Sequence, residues 1–304
     1  MGALILPCLA HLGRQHLDDT WQTGTFSPPT PAAYGDAMAT PAPVVDPVSG
    51  LRTGAGPDLD HLTVLAGLQD AFQAGIDGAD PNAPVPACRR WRVRNLVTHL
   101  GRIHHWAAGQ ARRRQETPLG RGPFDLAPFY ATQAAEIRDT LAALGPDASS
   151  WTLLGNGPAS FWRRRQAHET LVHLHDLRAA RLGSGAAVAD TAPLDVPADV
   201  WADAVDEVVR LFAPRQVRLG RAAPLRAAVG LEAFDVGWSW VLGTADGVDR
   251  QHDAPADSPD VVLRATARDL ALVLWGRLAP DEVDAQITGD RGALDDALAG
   301  RIVP

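Results

Sequence analysis

His99, Glu169 and His173 are the three side chains whose types and spacing could hold a metal ion. Glu169 and His173 are four residues apart, so on a helix both leave the same face one turn apart and can reach a common point. That face also carries Trp162, Gln166 and Asp176. Alone, such a pair is a weak signal, because polar i,i+4 pairs are common on helix surfaces. His99 adds weight. It lies beside the apolar stripe of Leu96, Leu100 and Ile103, which turns its ring toward the inside of a helix bundle. Two imidazoles and one carboxylate suit zinc with a position left open, the ligand set of a catalytic site rather than a structural one. From spacing alone a second reading stays equally open: a buried histidine satisfied by a polar neighbour, beside an ordinary helix salt bridge.

The remaining polar residues read less sharply. Asp176 is placed to orient a metal-bound imidazole such as His173. His104 follows His99 by five residues and approaches the same mouth of the bundle, as a partly exposed residue and a candidate cofactor contact; His105 reads as partly exposed too. His168 and His175 fall off the Glu169/His173 face and read either as support behind the ligands or as peripheral. His11, His16, His61 and His252 show no partner. The arginine triplets 112–114 and 163–165 read as solvated charge, the first near a helix end where cations are favoured.

These residues need elements to position them. Leu62, Leu65, Leu68 and Phe72 recur at spacings of three and four, predicting a first helix beginning near Asp58. Val93, Leu96, Val97, Leu100 and Ile103 predict a second. Ile137, Leu141 and Leu144 predict a third, terminated by Gly145, and PASFWRRRQAHETLVHLHDLRAARLG a fourth with Pro158 near its first turn. Four such helices joined by modest loops describe a four-helix bundle over 58–183. Residues 1–57, rich in Pro, Gly, Thr and Ala, read as a flexible extension. After the linker SGAAVADTAPLDVP, the helix ADVWADAVDEVVRLF precedes strand-like LRAAVGLEA, VGWSWVLGT and DVVLRATA. Then come a helix, RDLALVLWGRL, a short strand, DAQITGD, and a closing helix, GALDDALAG, so 184–304 reads as a small mixed α/β domain. The fold class expected is α + α/β.

Composition narrows the partners. A chain of 304 residues, 46% hydrophobic and 21% charged, fits a folded globular protein of about two domains. The net charge of -8 disfavours nucleic acid. All 28 basic residues are Arg, a bias that fits a GC-rich coding genome. Cys8 and Cys88, far apart and outside any CxxC pair, suggest no disulfide framework and so a cytoplasmic setting. The apolar start lacks a basic leader, and no run approaches the ~18 apolar residues of a membrane span. The oligomeric expectation is a monomer or small homo-oligomer.

Two segments, VPACRRWRVRNLVTHLGRIHHWA and FWRRRQAHETLVHLHDLRAA, resemble the metal-binding four-helix domain of the mycothiol-dependent maleylpyruvate isomerase family, a DinB-like domain. DVVLRATARDLALVLWGRLAPDEVDAQITGDRGALDDAL similarly resembles that family's second domain, so the likeness runs from about Asp58 to Leu298. The resemblance implies that a His in the second helix and an E-x-x-x-H pair in the fourth, here His99, Glu169 and His173, bind a divalent metal such as Zn2+. It implies mycothiol as a cofactor: the thiolate adds to an activated cis double bond, the bond rotates, and elimination gives the trans product. Release of the adduct instead would make an S-transferase. The family's essential Arg maps to the WGR context and nominates Arg277 as a catalytic and cofactor-binding residue, although a helix-end cation explains Arg277 equally well. The usual C-P-G-W-T before the second helix reads Cys88, Arg89, Arg90, Trp91, Arg92 here, which changes the loop near the bundle mouth. A non-catalytic metal or thiol-binding protein, or a zinc-dependent hydrolase, are the alternative functions.

Overall fold

The structure, a computed structural model, describes residues 44–45, 52–53, 57–88, 90–183, 196–243 and 259–304. Cys8, His11, His16, Arg89, His252, most of the expected extension and most of the linker lie outside the described residues. The chain divides into two compact units, one containing residues 59–183 and the other containing residues 196–304 together with two short strands from before residue 58.

The first unit is a four-helix bundle. Helix α1 is His61–Ile76, and Asp60 caps it by accepting from the Leu62 and Thr63 amides at 3.2 and 3.3 Å. Helix α2 is Val93–Ala111, where the Asn95 side chain accepts from the Arg92 amide at 2.9 Å. Helix α3 is Leu126–Leu144 and stops at Gly145, whose φ of 73° suits a residue without a Cβ. Helix α4 is Ser160–Arg181. Going round the bundle the helices run α1, α4, α2, α3, so α2 and α4, which carry the candidate ligands, are neighbours. Leu65, Phe72, Leu96, Leu100, Ile137, Leu141, Leu171 and Leu174 are fully buried between them, each contributing about 1.5–3 kcal/mol of transfer free energy.

Helix α4 departs from an amphipathic surface helix. It is buried on nearly every side from Trp162 to Ala180, yet Arg165, Gln166, His168, Thr170, His173, His175 and Asp176 lie among those buried residues. Buried polar groups are costly unless partners satisfy them, which sets α4 apart from an apolar core helix. Its entry is set by a hairpin that the sequence expectation did not include. Pro158, two residues before the helix, ends a hairpin of β3, Ser149–Thr152, and β4, Gly155–Pro158, where it pairs with Ser149. The indole of Trp162 then donates to the Trp151 carbonyl at 2.7 Å, tying the hairpin to the helix it precedes.

The second unit is a mixed sheet with helices. Its strand order is β1-β2-β6-β5-β7-β8, with β1 at Val44–Val45, β2 at Arg52–Thr53, β5 at Val229–Ala233, β6 at Trp238–Leu242, β7 at Val261–Ala265 and β8 at Gln286–Gly289. Strands β1 and β2 fall in the stretch read as a flexible extension; β2 joins the sheet edge in parallel beside Trp238. Strands β5 and β6 form an antiparallel hairpin, β7 adds to β5 in parallel, and β8 closes antiparallel to β7. Alternate residues of β6 and β7 are buried, as expected of a sheet with one covered face. Helix α5, Ala198–Glu207, continues through a π-helical turn, Val208–Phe212, into α6, Ala213–Arg218. Helix α7, Ala267–Leu274, packs on α5, and α8, Arg291–Ala299, follows β8. No helix among the described residues is long and apolar enough to cross a membrane.

Candidate metal centre

The three candidate ligands meet. His99 arrives from α2, and Glu169 and His173 from successive turns of α4; one ligand atom from each lies within 4.8 Å of the others. Both imidazoles direct Nε2 at the same oxygen, Oε1 of Glu169, each at 3.3 Å. His173 is 1% exposed, while His99 and Glu169 are 14% and 13% exposed, so the cluster is mostly buried but reachable at His99 and Glu169. Asp176, one turn beyond His173, accepts from its Nδ1 at 3.0 Å. A proton fixed on Nδ1 leaves Nε2 as a lone-pair donor toward the cluster, the arrangement in which carboxylates orient metal-bound histidines. Trp91 packs on both rings, with centroids 4.7 Å from His99 and 6.1 Å from His173.

The electrostatics of the cluster follow from burial and pairing. Burial would raise the Glu169 pKa, but the guanidinium of Arg165 and the two imidazoles hold it well below the usual carboxylate range. Arg165 hydrogen-bonds the other oxygen, Oε2. Burial lowers the His99 pKa, only partly offset by its bond to Glu169. Burial acts the same way on His173, but its bonds to Asp176 and Glu169 outweigh it and the pKa rises. Two imidazoles and a charged carboxylate, preassembled around one point, fit a divalent cation.

The other nominated residues fall elsewhere. His104 is not partly exposed at the mouth but fully buried: its Nδ1 meets Oε1 of Gln166 at 2.7 Å and its Nε2 faces the Gln69 amide at 3.4 Å. Helix α2 buries a broader face than its apolar stripe suggests, because α3 and α4 both flank it. His105 is buried for the same reason, between Glu136 and the Thr117 carbonyl. His168 is buried, with the ring of His61 edge-on at 6.1 Å, and His175 is buried as well. Arg277 lies in the second unit, in the turn after α7, where it donates to the Trp275 carbonyl at 2.8 Å and its guanidinium sits 6.0 Å from the Trp275 ring.

Arg165 was hidden in the sequence. It belongs to a triplet read as solvated charge but is 4% exposed and paired with Glu169. Its register, four residues before a candidate ligand, was the available signal. Arg112, from the other triplet, pairs with Glu136 and donates to Thr140 at 2.8 Å.

Comparison with known proteins gives two family matches in tandem. Residues 66–178 match the model of the mycothiol maleylpyruvate isomerase N-terminal domain, and residues 199–296 match that of the C-terminal domain of the same proteins. Among solved structures, the chain is similar to a histidine-to-alanine mutant of the mycothiol-dependent maleylpyruvate isomerase, with a TM-score of 0.51 at 14% identity over 75% of this chain and 92% of that one. It is also similar to the unsubstituted enzyme, with a TM-score of 0.49 at 15% identity and the same coverage. At 14% identity the first of these likenesses speaks for the fold, an α bundle followed by a small mixed α/β domain. No curated protein matches the chain in sequence.

Proposed function

We propose that this chain, which belongs to the mycothiol-dependent maleylpyruvate isomerase family of enzymes, uses mycothiol to isomerise a small electrophile with an activated cis double bond. The observation that carries this reading is the convergence of the His99 and His173 Nε2 atoms on Oε1 of Glu169. A bound divalent ion, zinc by the chemistry of the donor set, would supply a charge that favours thiolate over thiol near neutral pH. His99, Glu169 and His173 would hold the ion; Asp176 keeps the Nδ1 proton of His173 in place. Trp91 covers both imidazole rings and keeps water from that side. Arg277, nominated by the family resemblance, is proposed to hold a carboxylate of the substrate or thiol through its planar fork of donors.

The thiolate sulfur bonds to one alkene carbon, and the electron pair of the double bond moves onto the conjugated acceptor. Rotation about the resulting single bond and re-expulsion of the thiolate give the trans product, so the thiol is returned unchanged. Retention of the new carbon–sulfur bond would make the same site an S-transferase.

Metal analysis of the purified wild type beside His99→Ala and Glu169→Ala, paired with turnover assays with and without mycothiol, tests this. The expected result is one divalent ion in the wild type, its loss in both variants, and consumption of a cis-alkene electrophile only when thiol is supplied. Turnover without thiol would replace this reading with metal-assisted hydrolysis. Bound metal with no response to thiol or electrophile would replace it with a non-catalytic binding protein.

A further inference from the structure

Glu169 has two oxygens, and the structure gives them different tasks. Oε1 faces both imidazoles at 3.3 Å. Oε2 is engaged by a guanidinium nitrogen of Arg165, one helical turn earlier on α4, and the Arg165 side chain is only 5% exposed. Arginine is rarely buried this deeply without a charge partner, and here the partner is a candidate metal ligand.

We infer that Arg165 is a positioning residue that confines Glu169 to binding metal through one oxygen. This rests on the metal reading above and deepens it. A carboxylate free on both sides can chelate an ion with two oxygens and so fill an additional coordination position. With Oε2 held, three protein atoms bind, and the remaining positions stay available to an incoming sulfur and to a substrate oxygen. The guanidinium also offsets the carboxylate charge. The ion therefore keeps more of its own positive charge for an entering anion than it would beside an unpaired Glu, which favours a thiolate over a neutral ligand. Lysine would not be equivalent, because its single point charge cannot reproduce the rigid fork of Arg.

The test uses the full-length protein loaded with Co2+, as wild type, Arg165→Met and Arg165→Lys, with folding checked by circular dichroism. Three quantities are read: Co2+ affinity by chelator competition, the intensity of the cobalt visible bands, and the concentration of N-acetylcysteine needed to develop the thiolate-to-cobalt charge-transfer band. Arg165→Met, which frees the second oxygen and the full carboxylate charge of Glu169, should raise Co2+ affinity by about tenfold. It should also weaken the visible bands as the coordination number rises, and raise the thiol requirement by about tenfold; Arg165→Lys should recover part of each. Unchanged spectra and thiol requirement in a folded Arg165→Met protein would overturn the inference.

A measurement on the wild type alone decides the matter if Arg165→Met does not fold. Infrared difference spectra of protein labelled with 13C-glutamate, with and without zinc, should show the wide carboxylate splitting of one-oxygen binding. The narrow splitting of a chelating carboxylate would overturn it. If the wild type binds neither Co2+ nor zinc, the metal reading itself fails, an outcome separate from a metal-binding wild type whose Arg165 variants behave normally.

Discussion

Two clusters of buried polar side chains share the interior of the bundle. In one, His104 lies between Gln166 and Gln69; in the other, His99 and His173 converge on Glu169. Both join residues of α2 and α4, and both contain an imidazole. They differ in their inventory of protons and lone pairs. In the first cluster a neutral imidazole suffices, since Nδ1–H donates to the Gln166 carbonyl oxygen and Nε2 accepts from the Gln69 amide. In the second, two imidazole nitrogens face one carboxylate oxygen, an arrangement that a shared proton or a cation would satisfy. Burial and polarity are common to both clusters; the surplus of facing lone pairs distinguishes the candidate ligand site from the bridge.

The largest effect should separate the clusters outright. Glu169→Ala is expected to reduce bound divalent metal from about one per chain to none while the bundle stays folded, as measured by elemental analysis beside circular dichroism. Retained metal would erase the distinction. The next effect concerns the bridge and pH. Burial lowers the His104 pKa from 6.5 to about 4. As pH falls through that window the unfolded chain takes up a proton before the folded one does, so the stability present above about pH 6.5 is progressively lost toward pH 4. The loss attributable to His104 should reach about 3 kcal/mol. Urea titrations of wild type and His104→Gln across this range measure it; equal slopes would show that His104 is not the group responsible.

A smaller effect should come from removing the bridge at neutral pH. His104→Leu leaves Gln166 and Gln69 without their partner and should cost about 1–3 kcal/mol in denaturant titration, with metal content unchanged. Metal loss in this variant would join the two clusters into one functional unit. The smallest effect is expected from Asp176→Asn, which removes the charge orienting His173: zinc affinity should fall about tenfold in chelator competition, with little change in the denaturation midpoint of the metal-free protein.

Much of this arrangement was legible from spacing. The stripes at Leu65, Leu68 and Phe72 and at Leu96, Leu100 and Ile103 located α1 and α2, and the four-residue step from Glu169 to His173 located a shared face. Where periodicity failed, a physical reason is evident. Helix α4 is covered on nearly all sides, so polarity at Arg165 and His168 no longer signals solvent, and one arginine of a run that ordinarily marks a surface lies in the interior. The hairpin of β3 and β4 escaped because Gly155, Asn156 and Gly157 read as loop; their pairing comes from the backbone ladder rather than from β-forming side chains. Strands β1 and β2 escaped similarly, being two residues each in a Pro- and Gly-rich stretch. The convergence of α2 with α4 is tertiary, and spacing within one helix could not supply it.

The descent of α4 sets Arg165, Glu169, His173 and Asp176 at steps of four, four and three along one rod, whereas His99 comes from a helix 70 residues earlier than Glu169. Two ligands and both of their supporting groups therefore keep their mutual spacing whenever α4 is formed, and only the reach to His99 depends on how the bundle closes. An ion gripped by all three would act as a clasp between distant parts of the chain, stabilising the closed bundle because the open chain does not present the three ligands together. Occupancy and bundle stability would then rise and fall together, by RT ln(1 + [M]/Kd) for free metal concentration [M].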